Sequence, residues 1–295
     1  MRILLTGPGG FLGSALARHW AAAGHEQWLL ARPGSRLDRL DGLPSSARVV
    51  RIASADDVAT AVREAAPDAI VHTACCYGRK GETPLDVMEA NLRFGALLLQ
   101  EVLDAAPKKA GATAFLNTGT VLAPGVSLYA LSKTQFSSWG AALASQAPDR
   151  LHFIDIRLQQ MYGPGDDRSK FTTHVIDACR RNEPRIELTA GEQRRDFIHI
   201  DDVVQAYDRI LERRDDFAAS DAIEVGSGEA VTMRSFVELA KQLAGAATAL
   251  HFGAVPYRAH EAMLCVADTA RLRGLGWRPQ VSLTDGLKSM LDAPR

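Results

Sequence analysis

"ILLTGPGGFLG", residues 3–13, decides how the rest of the chain is read. An apolar run ends at Thr6, and a helical pattern opens at Phe11 and Leu12. Between them stand Gly7, Gly10 and Gly13. Gly7 permits a tight turn, Gly10 lets the backbone approach a pyrophosphate, and Gly13 lets the helix pack closely on the strand. The helix start then faces the phosphates with free N–H groups. An ordinary glycine-rich turn is the alternative. The strand–turn–helix setting favours a dinucleotide loop formed by Thr6, Gly7, Gly10, Phe11, Leu12 and Gly13.

Working outward, short apolar runs alternate with helical periodicity. Strands are expected at Arg2–Thr6, Gln27–Ala31, Arg48–Ile52, Ala69–Thr73, Ala114–Thr118 and Leu151–Arg157. Helices are expected at Phe11–Ala22, Val58–Glu64, Leu85–Ala105 and Ala130–Ala144. Such alternation predicts an α/β fold, a doubly wound parallel sheet of Rossmann type with helices on both faces. After about residue 160 the rhythm changes at "YGPGDD". The expected division is a dinucleotide-binding domain over 1–160 and a smaller substrate-binding part over 161–295. Segments near 195–215, including Asp201–Glu212, are expected to return to the main domain.

Composition narrows the function. The chain has 295 residues, 46% hydrophobic and 23% charged, with a formal net charge of −1. No basic excess points to nucleic acid, and no apolar run is long enough for a membrane span. The opening strand does not read as a signal peptide. Cys75, Cys76, Cys179 and Cys265 lack metal-ligand spacing, so no metal is expected. Unpaired thiols fit a reducing cytoplasm.

The second expected strand ends in "LLARPGSRLDRL". An Asp or Glu there would accept hydrogen bonds from the ribose hydroxyls of NAD. This chain has Arg32, whose guanidinium can grip a 2′-phosphate with two donors, and Ser35 and Arg36 can complete the pocket. A solvated basic loop is the alternative. NADP(H) is favoured, with NAD(H) still open.

Residues 117–133 read "NTGTVLAPGVSLYALSK". Tyr129 and Lys133 are four apart and share one helix face. A cation ~4 Å from the phenol, at an effective dielectric of ~20, is worth roughly 4 kcal/mol. That is enough to draw the phenol from about 10 toward neutrality. Thr118, at the carboxyl end of the fifth strand, lies where open α/β sheets bind ligands. Thr118, Tyr129 and Lys133 are therefore the expected catalytic unit.

"TGPGGFLG", "VHTA", "NLRFGALLLQEV", "NTGTV" and "YALSK" resemble the extended short-chain dehydrogenase/reductase family, the NAD-dependent epimerases and dehydratases. The resemblance continues through "RLQQMYGPGD", "RRDFIHIDDV", "EVGSGEAVT" and "LGWRP". It implies an enzyme acting on a nucleotide sugar, with Thr118, Tyr129 and Lys133 catalytic. Tyr129 and Lys133 would also touch the cofactor, along with His72, Ala74 and Asn91. His72 reads equally well as a core histidine. Cys75, Thr118, Gln160, Met161, Lys170, Phe171, Arg195 and Arg258 would meet the substrate. Arg195 and Arg258 suit a diphosphate through their forked donors, or else serve as surface ion-pair partners. Gln160 departs from the family's Asn.

Gly119 and Thr120 stand where dehydratases carry an acid and a base, which disfavours elimination. Thr120 is not the thiol of a 3,5-epimerase, and His174 reads as a helix-surface residue. The short Thr118–Tyr129 loop and "MYGPGDDRSKF" resemble the branch of CDP-abequose and CDP-paratose synthases. That likeness implies reduction of a CDP-4-keto-3,6-dideoxyhexose, and the family implies a homodimer through the Tyr–Lys helix and the Leu85–Ala105 helix. A 4-epimerase with bound NAD, and a non-catalytic NADP-binding regulatory module, are the other readings.

Overall fold

The computed structural model describes residues 1–105, 111–258 and 261–294. Along the chain the strands are Arg2–Thr6 (β1), Glu26–Ala31 (β2), Ala47–Arg51 (β3), Ala69–His72 (β4), Thr113–Thr118 (β5) and Leu151–Leu158 (β6). There follow Gln160–Tyr162 (β7), Arg185–Leu188 (β8), Arg194–His199 (β9), Ser220–Val225 (β10), Ala230–Thr232 (β11), Ala249–Phe252 (β12) and Leu264–Cys265 (β13). The helices are Phe11–Ala22 (α1), Ala55–Ala65 (α2), Pro84–Met88 (α3), Phe94–Asp104 (α4), Leu128–Gln146 (α5), Phe171–Arg180 (α6), Ile200–Glu212 (α7), Met233–Ala244 (α8), Ala270–Gly274 (α9) and Leu283–Asp292 (α10). None of the described helices is long and apolar enough to cross a membrane.

Local chemistry sets the helix starts. Ser54 accepts from the Asp57 N–H while Asp57 accepts from the Ser54 N–H, a reciprocal cap that starts α2. Thr83 and Asp86 do the same for α3, with Pro84 at its first position. The expected single helix over Leu85–Ala105 is instead interrupted, because Glu89–Arg93 winds as a π-helical turn between α3 and α4. Such a turn widens the helix at one place, and Asn91 lies in it.

The chain divides into two compact units, one of Met1–Arg157 with Tyr207–Ile223, the other of Leu158–Ala206 with Glu224–Arg295. The returning segment thus begins at Tyr207, not near 195. The reason is that β9 hydrogen-bonds with β7, β11 and β13, all of them strands of the second unit.

The seven-stranded sheet runs β10-β6-β5-β4-β1-β2-β3 and is the Rossmann type expected. The chain proceeds from β1 to β2 and β3 on one side, then crosses to β4 on the other. Ligands of open α/β sheets bind outside the carboxyl ends at such a reversal. Thr6 and His72 are register partners there. β4 is buried throughout and β1 nearly so, as in a sheet covered on both faces. Phe115, Phe136 and Phe153 pack with Leu98, Leu99, Val58 and Val62 on one side, and burying one such side chain contributes about 1.5–3 kcal/mol.

In the second unit, α6, α8 and α10 pack around Val175, Ile176, Phe236, Val237 and Leu287. Asp196 on β9 is fully buried and accepts from Ser227 N, Ser227 Oγ, Gly228 N and Ala267 N. Four donors around one carboxylate offset its loss of water.

Candidate active site

The glycine loop is held from below. Gly7 takes φ +67°, and a Cβ on Gly13 would lie 2.2 Å from the Gly7 carbonyl oxygen. The first position therefore needs a glycine backbone, and the second needs a missing side chain. The Thr6 hydroxyl meets His72 Nδ1 at 2.9 Å and accepts from the Ala74 N–H at 3.2 Å. Thr6 and His72 are both fully buried. His72 also sits among Phe94, Phe115 and Phe136. Burial, helped by the Lys133 charge, holds its imidazole well below the usual value, hence neutral. His72 does not line an open wall; it is the core histidine, and it supports the loop through Thr6.

Asn91 is buried too. Its amide brackets the Cys76 backbone, accepting from the N–H at 2.6 Å and donating to the carbonyl at 2.8 Å. It also donates to Ser132 Oγ at 3.0 Å, and that hydroxyl donates to the Tyr129 carbonyl at 2.9 Å. Asn91 therefore ties the β4 loop to the first turn of α5.

Beyond β2, Arg32 is exposed and has neither an ion pair nor a side-chain hydrogen bond among the described residues. Arg36 is matched by Asp38 at 2.5 Å, which leaves less of its charge free. Arg51 Nη1 donates to the carbonyls of Arg32, Pro33 and Ser35 at 2.7, 3.2 and 3.0 Å. One guanidinium thus gathers the turn that carries Arg32. A Cβ on Gly9 would stand 2.3 Å from the Arg36 carbonyl oxygen, so the glycine loop and the Arg32–Arg36 turn are in close contact.

Thr118 is the last residue of β5, and its Oγ1 accepts from the Tyr207 hydroxyl at 2.8 Å. Ser127 caps α5, which puts Tyr129 in the first turn and Lys133 one turn later. Cys75, at the β4 loop, interacts electrostatically with both Tyr129 and Lys133. The Tyr129 ring lies 4.7 Å from that of Tyr77.

The expected lowering of the Tyr129 phenol is not met on this chain's own residues. Burial pushes it up, and Cys75 adds to that; Arg79 and hydrogen bonds with Tyr77 and Thr120 pull the other way without winning. Desolvation outweighs attraction. Lys133 is itself buried, with an Nζ that has no hydrogen-bond partner among the described residues. Burial lowers its pKa, against the opposing charges of Cys75 and Asp155.

Asp155 is a further part of this site. It is 6% exposed on β6, and Oδ1 accepts from Asn117 Nδ2 at 2.8 Å and Ser137 Oγ at 2.7 Å. Sequence reasoning passed over it, although an Asp within the apolar run of "LHFIDIRL" is an anomaly that could have drawn notice. Tyr207 and Arg51 had no comparable signal.

Residues 3–226 match the NAD dependent epimerase/dehydratase family. The chain belongs to that family. It is 29% identical over 301 residues to the CDP-abequose synthase of Salmonella typhimurium, covering 98% of this chain and 97% of that protein. The fold is similar to UDP-glucose 4-epimerase of Thermotoga maritima with UDP-glucose, at TM-score 0.84 and 20% identity over 99% of this chain and 98% of that one. It is also similar to UDP-glucose 4-epimerase of Thermus thermophilus in complex with NAD, at TM-score 0.80 and 23% identity over 99% and 98%.

A nicotinamide dinucleotide, the group that gives this epimerase/dehydratase family its name, fits the residues present. A Cβ on Gly10 would meet only the Gly7 carbonyl oxygen within 4 Å, which leaves the loop open beside the helix start, and the Lys133 ammonium is buried with no hydrogen-bond partner among the described residues. Both are features that a bound phosphate backbone and ribose would complete.

The remaining predicted residues fall in the second unit. Gln160 and Met161 are half-buried on β7. Lys170 donates to the buried Asp166 at 3.0 Å. Phe171, expected to meet the substrate, is half-buried and packs toward Phe236, 6.3 Å between ring centres, against the core of α6 and α8. Arg195 is committed to Glu261 and to the Arg194 carbonyl, the ion-pair alternative. Arg258 is exposed and shows no side-chain partner among the described residues. His174 is exposed on α6, a helix-surface position.

Proposed function

We propose that this chain reduces the C4 ketone of a CDP-4-keto-3,6-dideoxyhexose with NADPH, giving a CDP-3,6-dideoxyhexose. The observation that carries the reaction type is the state of Tyr129. Burial raises its pKa and keeps the phenol protonated in the first turn of α5, the state needed to give a proton to a ketone oxygen. The substrate class rests on the likeness to CDP-abequose synthase along nearly the whole of both chains. The free Arg32 and the Arg51 clamp support NADP over NAD.

The cofactor, when bound, supplies hydride to the C4 carbon. Tyr129 gives its proton to the ketone oxygen, a contribution of about 10²–10⁴ for a positioned acid. Thr118 donates a hydrogen bond to the same oxygen and fixes its orientation. Lys133 holds the nicotinamide ribose, and its charge stabilises the phenolate left on Tyr129. Arg258 is the candidate for the nucleotide diphosphate, through its forked donors. Asp155, with Cys75, opposes the burial that lowers the Lys133 pKa.

We place the enzyme in the cytoplasm as a homodimer. None of its four cysteines forms a disulfide among the described residues. Leu85 and Met88 on α3, and Leu128, Leu131 and Trp139 on α5, are exposed apolar side chains on the two helical segments expected to pair.

The test is nicotinamide absorbance with purified protein, NADPH or NADH, and CDP-4-keto-3,6-dideoxyglucose. Faster oxidation of NADPH than of NADH is expected. No oxidation, with interconversion of a UDP-hexose on added NAD+, would sink the reductase reading in favour of a 4-epimerase. Tight dinucleotide binding with neither turnover would leave the regulatory module.

A further inference from the structure

Tyr207 lies 89 residues from Thr118 in sequence, yet its hydroxyl reaches Thr118 Oγ1 at 2.8 Å. The Tyr207 side chain is fully buried on α7, and Thr118 Oγ1 is its one hydrogen-bond partner among the described residues. Thr118 itself is half-buried at the open end of β5.

These facts fix a direction. A buried hydroxyl hydrogen left unpaired is costly, and Tyr207 has one acceptor for it. Thr118 Oγ1 must therefore accept, and a hydroxyl carries a single hydrogen. The Thr118 hydrogen is then turned away from Tyr207 and left for another acceptor. Burial reinforces this by keeping the Tyr207 phenol protonated.

We propose that Tyr207 is a positioning residue that makes Thr118 a hydrogen-bond donor toward substrate. A ketone oxygen only accepts, so a site with Tyr129 and Thr118 both donating is matched to a carbonyl before reduction. Tyr207 touches no reacting atom and acts through Thr118. This role rests on the reductase reading above.

The test compares kcat and KM for NADPH-dependent ketone reduction in wild type, Tyr207→Phe, Thr118→Val, Thr118→Ser and the two double variants. Phenylalanine keeps the ring and removes the donor; Tyr207→Met gives the same readout should the Phe variant not accumulate. Tyr207→Phe is expected to lower kcat about tenfold with KM within about twofold. No further loss is expected in Thr118→Val, whereas the tenfold loss returns in Thr118→Ser, which keeps the oxygen. An unchanged kcat in Tyr207→Phe, or an equal loss in the Thr118→Val background, overturns the positioning role alone. Absence of ketone reduction by wild type overturns this role and the reductase reading together.

Discussion

Asn117 at the end of β5 donates to Asp155 on β6 across 2.8 Å, and this holds a buried carboxylate beside the Lys133 ammonium. Ser137, one turn beyond Lys133 on α5, donates to the same oxygen at 2.7 Å. Asp155 raises the Lys133 pKa against the burial that lowers it. Asp155→Asn removes that charge while keeping the shape. The alkaline limb of the kcat/KM profile should move to lower pH, because Lys133 then loses its proton sooner. A pH–rate profile of both proteins checks this; coincident limbs would refute the link.

Tyr129→Phe removes the proton donor and leaves the ring beside that of Tyr77. The expected loss in kcat is about 10²–10⁴, with NADPH affinity within a few-fold of wild type. Stopped-flow reduction together with a fluorescence titration separates the two. Loss of cofactor binding in parallel with kcat would assign Tyr129 to the fold instead.

Arg32→Asp should turn the cofactor preference. Losing a charge-assisted grip costs about 1.5–3 kcal/mol, so NADPH affinity should fall roughly 10- to 100-fold while NADH binds as well or better. Arg51→Met should weaken NADPH more mildly, since the turn that carries Arg32 loses its three carbonyl contacts. Equal losses for NADH and NADPH would contradict a 2′-phosphate role.

His72 links stability to acidity. Its folded pKa is depressed below the ordinary 6.5 by burial, so the unfolded chain binds a proton more readily. The stabilisation from neutral His72 is complete above about 6.5 and is lost as pH falls toward the depressed value. Thermal unfolding from pH 8 to pH 5 should show a shallower pH dependence for His72→Asn than for wild type. Parallel curves would remove His72 from the account.

Trp139, 59% exposed on α5, is expected to lie in the homodimer contact. Trp139→Glu should convert dimer to monomer by sedimentation velocity, as a charge placed in an apolar interface is strongly disfavoured. An unchanged oligomer would put the contact elsewhere.

Legibility of the fold followed from how local the information was. β1 and α1 match their expected bounds because an apolar strand, spaced glycines and a helical repeat are all written within 22 residues. The placement of the three candidate residues was legible for the same reason: Thr118 ends a strand, and Tyr129 and Lys133 share a helix face. Their electrostatics were not. Attraction between a Lys and a Tyr can be guessed from spacing, but the desolvation that outweighs it at Tyr129 depends on what the rest of the chain covers.

The sequence by itself determined the α/β class, the glycine turn between β1 and α1, the place of Thr118 at a strand end and the shared helix face of Tyr129 and Lys133, since each is a short pattern with its own physical requirement. Only the tertiary structure decided which polar residues face outward and which are spent inside. It turned His72 and Asn91 into supports for the loop and the helix start. It packed Phe171 toward Phe236, paired Arg195 with Glu261, and brought Asp155 and Tyr207 to the triad. A side chain's role depends on its burial and its partner, and residues 38 or 89 apart become partners only once the sheet has assembled.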